Sequence, residues 1–212
     1  RDPPVIVVVD YGMGNPGSIS NMIRRAGGEA SISRDLNEIE KATALILPGV
    51  GAFDNGMQKL NDNGMLDMLN HKVVNERVIF LGICLGMQLL FDSSEEGERP
   101  GFGWIPGRVE RFTFESTAQR LKVPHMGWNV VESLGSPLLE GLGEEPRFYF
   151  VHSFFAHCEH AEHSVGTTEY GGQFTSVVQN GNVYGCQFHP EKSHRFGTQL
   201  FSNFLELVNA AG

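Results

Sequence analysis

The stretch that most constrains the fold runs from Val78 to Leu90, where an apolar run leads into Gly-Ile-Cys-Leu-Gly and then into a second apolar segment. A cysteine between two glycines after an apolar run is typical of a sharp strand-to-helix turn, because glycine lets another backbone segment pass closely. The turn directs Cys84 towards the positive end of the next helix, which favours the thiolate. The pattern predicts a nucleophile, with a small buried apolar cysteine as the alternative.

The first half of the chain alternates apolar strands with helices. Runs at residues 5–9, 44–47 and 78–83 are apolar without alternation, which is typical of strands buried on both faces of a parallel sheet. We expect a short strand near residues 30–33, a helix from an N-cap at Ser18 to Ala26, and helix over residues 52–74 interrupted at Gly56 and Gly64. This order predicts an α/β fold with a mostly parallel central sheet flanked by helices, whose ligand site lies beyond the carboxyl ends of the strands.

The second half has a different pattern, with short strands and frequent turn residues after about residue 92. The strands are expected near residues 108–114, 128–132, 147–156, 176–179 and 183–188. They predict an antiparallel β extension of the sheet. Helical apolar spacing over residues 196–209 predicts a closing helix.

Bulk properties narrow the class of protein. A chain of 212 residues is expected to form a single domain over residues 1–212, because α/β domains of this size are common. A formal net charge of −9 argues against a nucleic-acid or anionic-membrane surface. Three scattered cysteines indicate a reducing compartment, and no signal peptide or membrane span is visible, so we expect a cytoplasmic enzyme.

One histidine has the context of a catalytic base. His189 and Glu191 lie two residues apart at the end of a strand-like run, so both side chains are predicted on one face, and Pro190 places them at the sheet rim. A carboxylate beside an imidazole fixes its tautomer and stabilises the imidazolium. The alternative is an ordinary hydrogen-bonded histidine beside a solvated glutamate.

Five motifs occur together and in order. They are Leu-Pro-Gly-Val-Gly-Ala-Phe at 47–53, Gly-Ile-Cys-Leu-Gly-Met-Gln-Leu-Leu at 82–90, Pro-His-Met-Gly-Trp-Asn at 124–129, Tyr-Phe-Val-His-Ser at 149–153 and His-Pro-Glu-Lys-Ser at 189–193. Together they resemble the class I (triad-type) glutamine amidotransferases, and within them the family of glutaminase subunits of imidazole glycerol phosphate synthase. The resemblance covers essentially the whole chain.

The resemblance implies hydrolysis of the side-chain amide of L-glutamine. Cys84 would attack the carboxamide carbon, His189 would take the thiol proton and return it to the leaving ammonia, and Glu191 would orient His189. An oxyanion hole would be formed by the N–H of Leu85 and by the turn at Gly49, Val50 and Gly51. The alternative for that turn is a plain turn at a strand end.

The resemblance also assigns residues to the substrate. Gln88 lies one turn after the cysteine and, with Glu96, would hold the amino-acid head of glutamine, although the adjacent Glu95 is an alternative for Glu96. Ser153 would lie near the substrate. Relatives often carry a tyrosine where this chain has Phe154, which has no hydroxyl.

Ammonia must reach a second active site, so the resemblance implies a partner, a (β/α)₈-barrel cyclase. Its products would be imidazole glycerol phosphate and an aminoimidazole carboxamide ribotide, made during histidine biosynthesis. The residues implied at or near the interface are His125, Met126, Gly127, Trp128, Asn129, Tyr149 and Lys192. Core packing is the alternative for Trp128 and Tyr149.

Two further patterns do not carry a function. Gly-x-Gly-x-x-Gly at residues 12–17 formally matches a dinucleotide fingerprint. However, Pro16 lies inside it, and members of the similar family share this opening without binding NAD. His157, Cys158, His160 and His163 could suggest a metal, but their spacing fits neither a zinc ribbon nor a finger. We therefore expect no cofactor and no metal.

Three alternatives to the leading hypothesis stay open. The chain could supply ammonia to a sugar-modifying enzyme for surface polysaccharides, since such subunits have near-identical catalytic motifs. It could be a cysteine peptidase of related fold, or a non-catalytic binding module, against which the intact Cys84, His189 and Glu191 argue.

Overall fold

The computed structural model describes residues 2–114 and 121–212. Within them the strands are β1 (Ile6–Val9), β2 (Ser31–Ser33), β3 (Ala44–Leu47), β4 (Ile79–Ile83), β5 (Ser93–Ser94), β6 (Gly107–Arg111), β7 (His125–Val130), β8 (Glu132–Ser133), β9 (Arg147–His152), β10 (Phe154–Cys158), β11 (Ser164–Glu169), β12 (Gln173–Asn180) and β13 (Val183–Cys186). The α-helices are α1 (Pro16–Arg25), α2 (Leu36–Lys41), α3 (Phe53–Asp62), α4 (Met65–Asn70), α5 (Leu85–Gln88) and α6 (His194–Ala211). A π-helical turn (His71–Asn75) extends α4, and 3₁₀ turns lie at Pro137–Leu139, Ala161–His163 and Pro190–Lys192.

A parallel sheet forms the centre of the molecule. Strands β2, β1, β3, β4 and β13 lie side by side in that order, each parallel to its neighbour. Every residue of β1 and β3 is buried, because α1 and α6 cover one face of the sheet and α3 and α4 cover the other. The predicted α/β class is confirmed, and the carboxyl ends of β1, β3 and β4 meet at one edge.

The antiparallel extension is also present. Strands β12, β10 and β6 follow β13 in antiparallel order, with β5 parallel to β6 at the end. β7 and β9 form a separate two-stranded antiparallel sheet, which the sequence did not distinguish from the extension. The predicted strand at residues 147–156 is broken at Ser153, so its two halves belong to different sheets.

Local predictions near the helix ends needed correction. Asn15, not Ser18, caps α1, since its side-chain oxygen accepts the Ser18 N–H at 3.2 Å. Gly56 does not interrupt α3. It lies inside the helix, where an added Cβ would lie 3.2 Å from side-chain atoms of Leu85 and Leu89, so its small size permits close packing. Gly64 does end the run, with a left-handed φ of 67°.

Candidate active site

Cys84 lies at the tip of the turn between β4 and α5. Its φ of 54° and ψ of −112° are unusual for a residue with a side chain and carry backbone strain of the kind that concentrates at functional sites. A Cβ on Gly82 would clash with the carbonyl oxygen of Gly86, and one on Gly86 would clash with that of Leu47. Both glycines are therefore required by close backbone approach. α5 is a single turn, so its dipole is weaker than the sequence suggested.

His189 and Glu191 meet beside this turn. Nδ1 of His189 lies 2.6 Å from Oε1 of Glu191, and both side chains are buried. The two residues do not continue a strand as predicted, because the 3₁₀ turn at Pro190–Lys192 begins directly after His189. The backbone N–H of His189 donates to the carbonyl of Tyr149 at 2.9 Å and ties the histidine to β9.

The environment favours the protonated form of His189. Burial lowers its pKa, but hydrogen bonding and charge from Cys84 and Glu191 outweigh burial and raise the pKa above its usual value. Nε2 of His189 is buried without a hydrogen bond of ordinary geometry. With Nδ1 committed to Glu191, Nε2 is the nitrogen available to take a proton from the thiol.

The predicted oxyanion turn, formed by Gly49, Val50 and Gly51, lies against Cys84. The other predicted oxyanion donor, the N–H of Leu85, already makes a hydrogen bond to this turn. The N–H of Leu85 donates to the carbonyl oxygen of Gly49 at 3.1 Å. The buried hydroxyl of Tyr11 donates to the preceding carbonyl, that of Pro48, at 2.6 Å. Val50 is 46% exposed and Gly51 has a φ of 120°. An oxyanion could use the Leu85 N–H only after the Gly49 carbonyl has turned away.

A cavity of about 480 Å³ opens over the thiol and is lined by all three predicted substrate residues. Its lining is Val50, Gly51, Cys84, Leu85, Gln88, Glu96, Arg111, Pro124, Val151, His152, Ser153 and Phe154. Glu96 accepts the Phe53 N–H at the start of α3 at 2.5 Å, which fixes its carboxylate at the cavity rim. The adjacent Glu95 instead accepts the Arg111 N–H at 3.0 Å. The structure therefore favours Glu96 over Glu95.

Sequence reasoning missed two polar residues of this site. Arg111 brings a cation to the cavity rim, with its guanidinium 5.7 Å from the centre of the Phe154 ring, and no local pattern marked it. Gln187 lies fully buried beside the nucleophile, with Nε2 3.8 Å from Sγ of Cys84. The alternation that paired His189 with Glu191 extends back to Gln187 and could have found it.

The predicted interface residues separate into exposed and buried groups. Met126 is 62% exposed and Trp128 is 46% exposed, and Lys192 is exposed with its ammonium 5.9 Å from the centre of the half-buried Tyr149 ring. His125 is buried and hydrogen-bonded inward. The His125 ring faces the interior, and the prediction that this residue lies at or near the interface stays a prediction. The half-buried Asn129 also points its amide inward.

A second, smaller cavity lies on the other side of the oxyanion turn. It has a volume of about 140 Å³ and is lined by Gly14, Asn15, Pro48, Gly49, Val50, Ile83, His189, Glu191 and Lys192. Gly49 and Val50 therefore lie between Leu85 on one side and the His189–Glu191 pair on the other. This cavity connects the neighbourhood of His189 with the exposed Lys192.

Residues 2–114 and 121–212 hold no group of three or more His, Cys, Asp or Glu side chains arranged to bind a metal. In the same ranges no helix combines the length and apolar character needed to cross a bilayer.

Comparison with known proteins places this chain in a family. Residues 7–208 match the family model described as glutamine amidotransferase class-I. The chain belongs to this family. A solved structure titled as a glutamine amidotransferase superposes with a TM-score of 0.70 at 24% identity, over 96% of this chain and 98% of that chain.

Curated relatives match over nearly their whole length. A protein of Methanococcus maripaludis named imidazole glycerol phosphate synthase subunit HisH 2 is 51% identical, over 95% of this chain and 99% of the relative. A protein of Pseudomonas aeruginosa with the same name is 50% identical, over 96% of this chain and 100% of the relative.

Proposed function

We propose that this chain is the glutaminase subunit of an imidazole glycerol phosphate synthase. It hydrolyses L-glutamine to glutamate and ammonia and passes the ammonia to a (β/α)₈-barrel cyclase partner. The observation that carries the proposal is a strained cysteine, a carboxylate-bound histidine and a substrate-sized cavity at one sheet edge. The names of relatives at about half identity support the histidine-pathway assignment.

Glutamine binds by its amino-acid head at the rim of the larger cavity. The carboxylate of Glu96 receives the substrate ammonium, and the guanidinium of Arg111 pairs with the substrate carboxylate. Gln88 and Ser153 line the wall between the rim and the thiol. The side-chain amide then points at Cys84.

The reaction has two halves. Cys84 transfers its proton to Nε2 of His189 and attacks the carboxamide carbon, and the imidazolium then protonates the departing nitrogen, so that ammonia leaves and a glutamyl thioester remains. Water, deprotonated by His189, attacks the thioester carbon, the C–S bond breaks, and glutamate and the free thiol are formed. Glu191 keeps its hydrogen bond to Nδ1 throughout. Such proton transfers contribute on the order of 10²–10⁴-fold to the rate.

The state of the oxyanion turn makes turnover dependent on the partner. In this conformation the Leu85 N–H is hydrogen-bonded to Gly49, so it cannot stabilise the tetrahedral oxyanion. A single oxyanion donor is worth on the order of 10²–10³-fold in turnover. Binding of the cyclase near Val50 would select the conformation in which the Gly49 carbonyl has rotated away.

The partner surface and the ammonia route lie on the side of Lys192. The exposed Met126 and Trp128 supply apolar area, and the small cavity beside His189 leads towards Lys192. Tryptophan is a common anchor residue in protein interfaces. Ammonia released at Cys84 would pass this way into the cyclase.

The test measures glutamine hydrolysis by the chain alone and after titration with the cyclase subunit from the same source. We expect slow hydrolysis alone and a rise of about 10²-fold or more when the complex forms. Rapid hydrolysis by the isolated chain would refute the gating. Cleavage of peptides without ammonia release from glutamine would refute the glutaminase, and copurification with a sugar-modifying enzyme instead of the cyclase would refute the pathway.

A further inference from the structure

A chain of side-chain amides leads to the sulfur of Cys84. Nε2 of Gln187 lies 3.8 Å from Sγ of Cys84, within reach for a weak hydrogen bond to sulfur. The oxygen of the same amide, Oε1, accepts from Nε2 of Gln88 at 3.1 Å. Nε2 of Gln88 also donates to the carbonyl oxygen of Phe154 at 3.3 Å. Gln187 and Gln88 are both buried.

The Phe154 carbonyl fixes the orientation of both amides. A backbone carbonyl can only accept, so the amide nitrogen of Gln88, not its oxygen, must face Phe154. The second N–H of that amide then points to Gln187, which must present its oxygen to Gln88. The nitrogen of Gln187 is thereby directed at Cys84. Flipping either amide would set two donors or two acceptors against each other in a buried site.

The same carbonyl is held from the other side by a pair of buried histidines. Nδ1 of His152 lies 2.7 Å from the Phe154 oxygen and must carry the proton. Nε2 of His152 is then an acceptor for Nδ1 of His125 at 2.9 Å. Nε2 of His125 in turn accepts from the amide of Asn129 at 3.1 Å. Burial lowers the pKa of both histidines, to about 3 for His152 and about 4 for His125, so both stay neutral and the polarity does not reverse.

A backbone carbonyl near the thiol opposes the effect of the Gln187 amide. Sγ of Cys84 lies 4.0 Å from the carbonyl oxygen of Val151, an acceptor that favours the protonated S–H. An N–H donor from Gln187 favours the thiolate, because a donor stabilises the charged acceptor. The two groups flank the sulfur from β9 and from the turn after β13.

We propose that Gln187 is a positioning residue for the nucleophile, whose amide N–H, oriented by Gln88 and the Phe154 carbonyl, holds the Cys84 sulfur and favours its thiolate. The proposal rests on the proposed glutaminase function. It adds a role for Gln88 behind the substrate wall, since both of its amide protons are committed to protein groups. Its oxygen alone remains for the substrate.

Two replacements of Gln187 separate electrostatics from packing. Gln187→Leu keeps a similar volume and removes the donor. Gln187→Glu keeps an acceptor for Gln88 but places an anion beside the sulfur. The matched control is Gln179→Leu, which removes a glutamine hydrogen-bonded to the Tyr184 hydroxyl at 3.1 Å, at the far end of the β12–β13 pair.

The readout is the rate of alkylation of Cys84 by iodoacetamide as a function of pH, followed by mass spectrometry of the Cys84 peptide in the full chain. The other titratable groups around the sulfur are His189, Glu191 behind it, Tyr11 and Cys186, and the cavity over it adds Glu96, Arg111 and His152. None of these groups is changed by the variants. We expect the midpoint of the alkylation rate against pH to rise by about half a pH unit in Gln187→Leu, because the donor is lost. In Gln187→Glu the midpoint should rise further, because an anion then lies beside the sulfur. The Gln179→Leu midpoint stays at the parent value.

Turnover in the complex provides the second readout. Gln187→Leu is expected to lower kcat about tenfold with KM changed less than about twofold, because the substrate contacts remain. An unchanged alkylation midpoint in Gln187→Leu, or equal shifts in Gln179→Leu, would overturn the proposal. The alkylation profile needs no glutamine, so it stands apart from the proposed function, which would fail separately if the parent complex released no ammonia.

Discussion

Nδ1 of His189 lies 2.6 Å from Oε1 of Glu191, with 3% and 5% of their side chains exposed. In such a dry pair the carboxylate both selects the tautomer and stabilises the imidazolium. The geometry explains why the pKa of His189 is raised although burial alone would lower it. We therefore expect the two residues to act as one unit, the catalytic base.

Replacing Glu191 by glutamine tests that unit. Glu191→Gln keeps the shape but removes the charge that stabilises the imidazolium, so glutamine-dependent turnover of the complex should fall by about 10²-fold or more. The rate of imidazole glycerol phosphate synthesis from added ammonium salts should be unchanged, because the partner uses ammonia directly. The exposed Glu162→Gln serves as the control, and parent-level glutamine turnover in Glu191→Gln would contradict the assignment.

The glycine after the nucleophile gives a prediction about stability. Gly86→Ala would place its Cβ against the Leu47 carbonyl, so the turn must shift. We expect a loss of about 1–3 kcal/mol in the free energy of unfolding, and loss of glutamine turnover because Cys84 moves with the turn. Gly17→Ala in α1 is the matched control. Its added Cβ would lie 3.6 Å from the Asn15 side chain, so chemical denaturation should show no loss there. Equal stability of both variants would contradict the close approach.

The buried histidine pair gives a prediction about pH. Burial lowers the pKa of His125 to about 4 and that of His152 to about 3, from 6.5. Above pH 6.5 both folded and unfolded forms are neutral. As the pH falls from 6.5 to 4 the unfolded chain takes up protons that the folded chain refuses, so stability falls, by about 3 kcal/mol for His152 alone.

Denaturation between pH 7 and pH 4 measures this slope. His152→Phe should lower stability at pH 7, since it removes the donor to Phe154, but should flatten the decline below pH 6.5. The exposed loop variant His160→Phe should keep the parent slope. A parent chain whose stability stays level between pH 6.5 and pH 4 would contradict the buried neutral pair.

The parts of the fold and site that the sequence predicted have local causes. Unalternated apolar runs marked β1, β3 and β4, and the glycines around Cys84 marked the turn, because these features depend on residues adjacent in the chain. The loops after these three strands were expected at one edge of the sheet because the strands are parallel.

The parts that the sequence could not predict depend on contacts between distant segments. Gln187 comes close to Cys84 only when β13 lies beside β4, and the His125–His152 pair forms only when β7 lies against β9. Gly56 looked like a helix breaker until tertiary packing against Leu85 and Leu89 explained it. The hydrogen bond from the Leu85 N–H to the Gly49 carbonyl depends on backbone conformation, which no residue pattern indicates.

The most direct test of the account compares nitrogen sources in the complex of Cys84→Ala with the cyclase subunit. We predict that the complex forms, that imidazole glycerol phosphate is produced from ammonium salts at the parent rate, and that production from glutamine is abolished. Glutamine-dependent synthesis at the parent rate by the Cys84→Ala complex would contradict the assignment of Cys84 as the nucleophile.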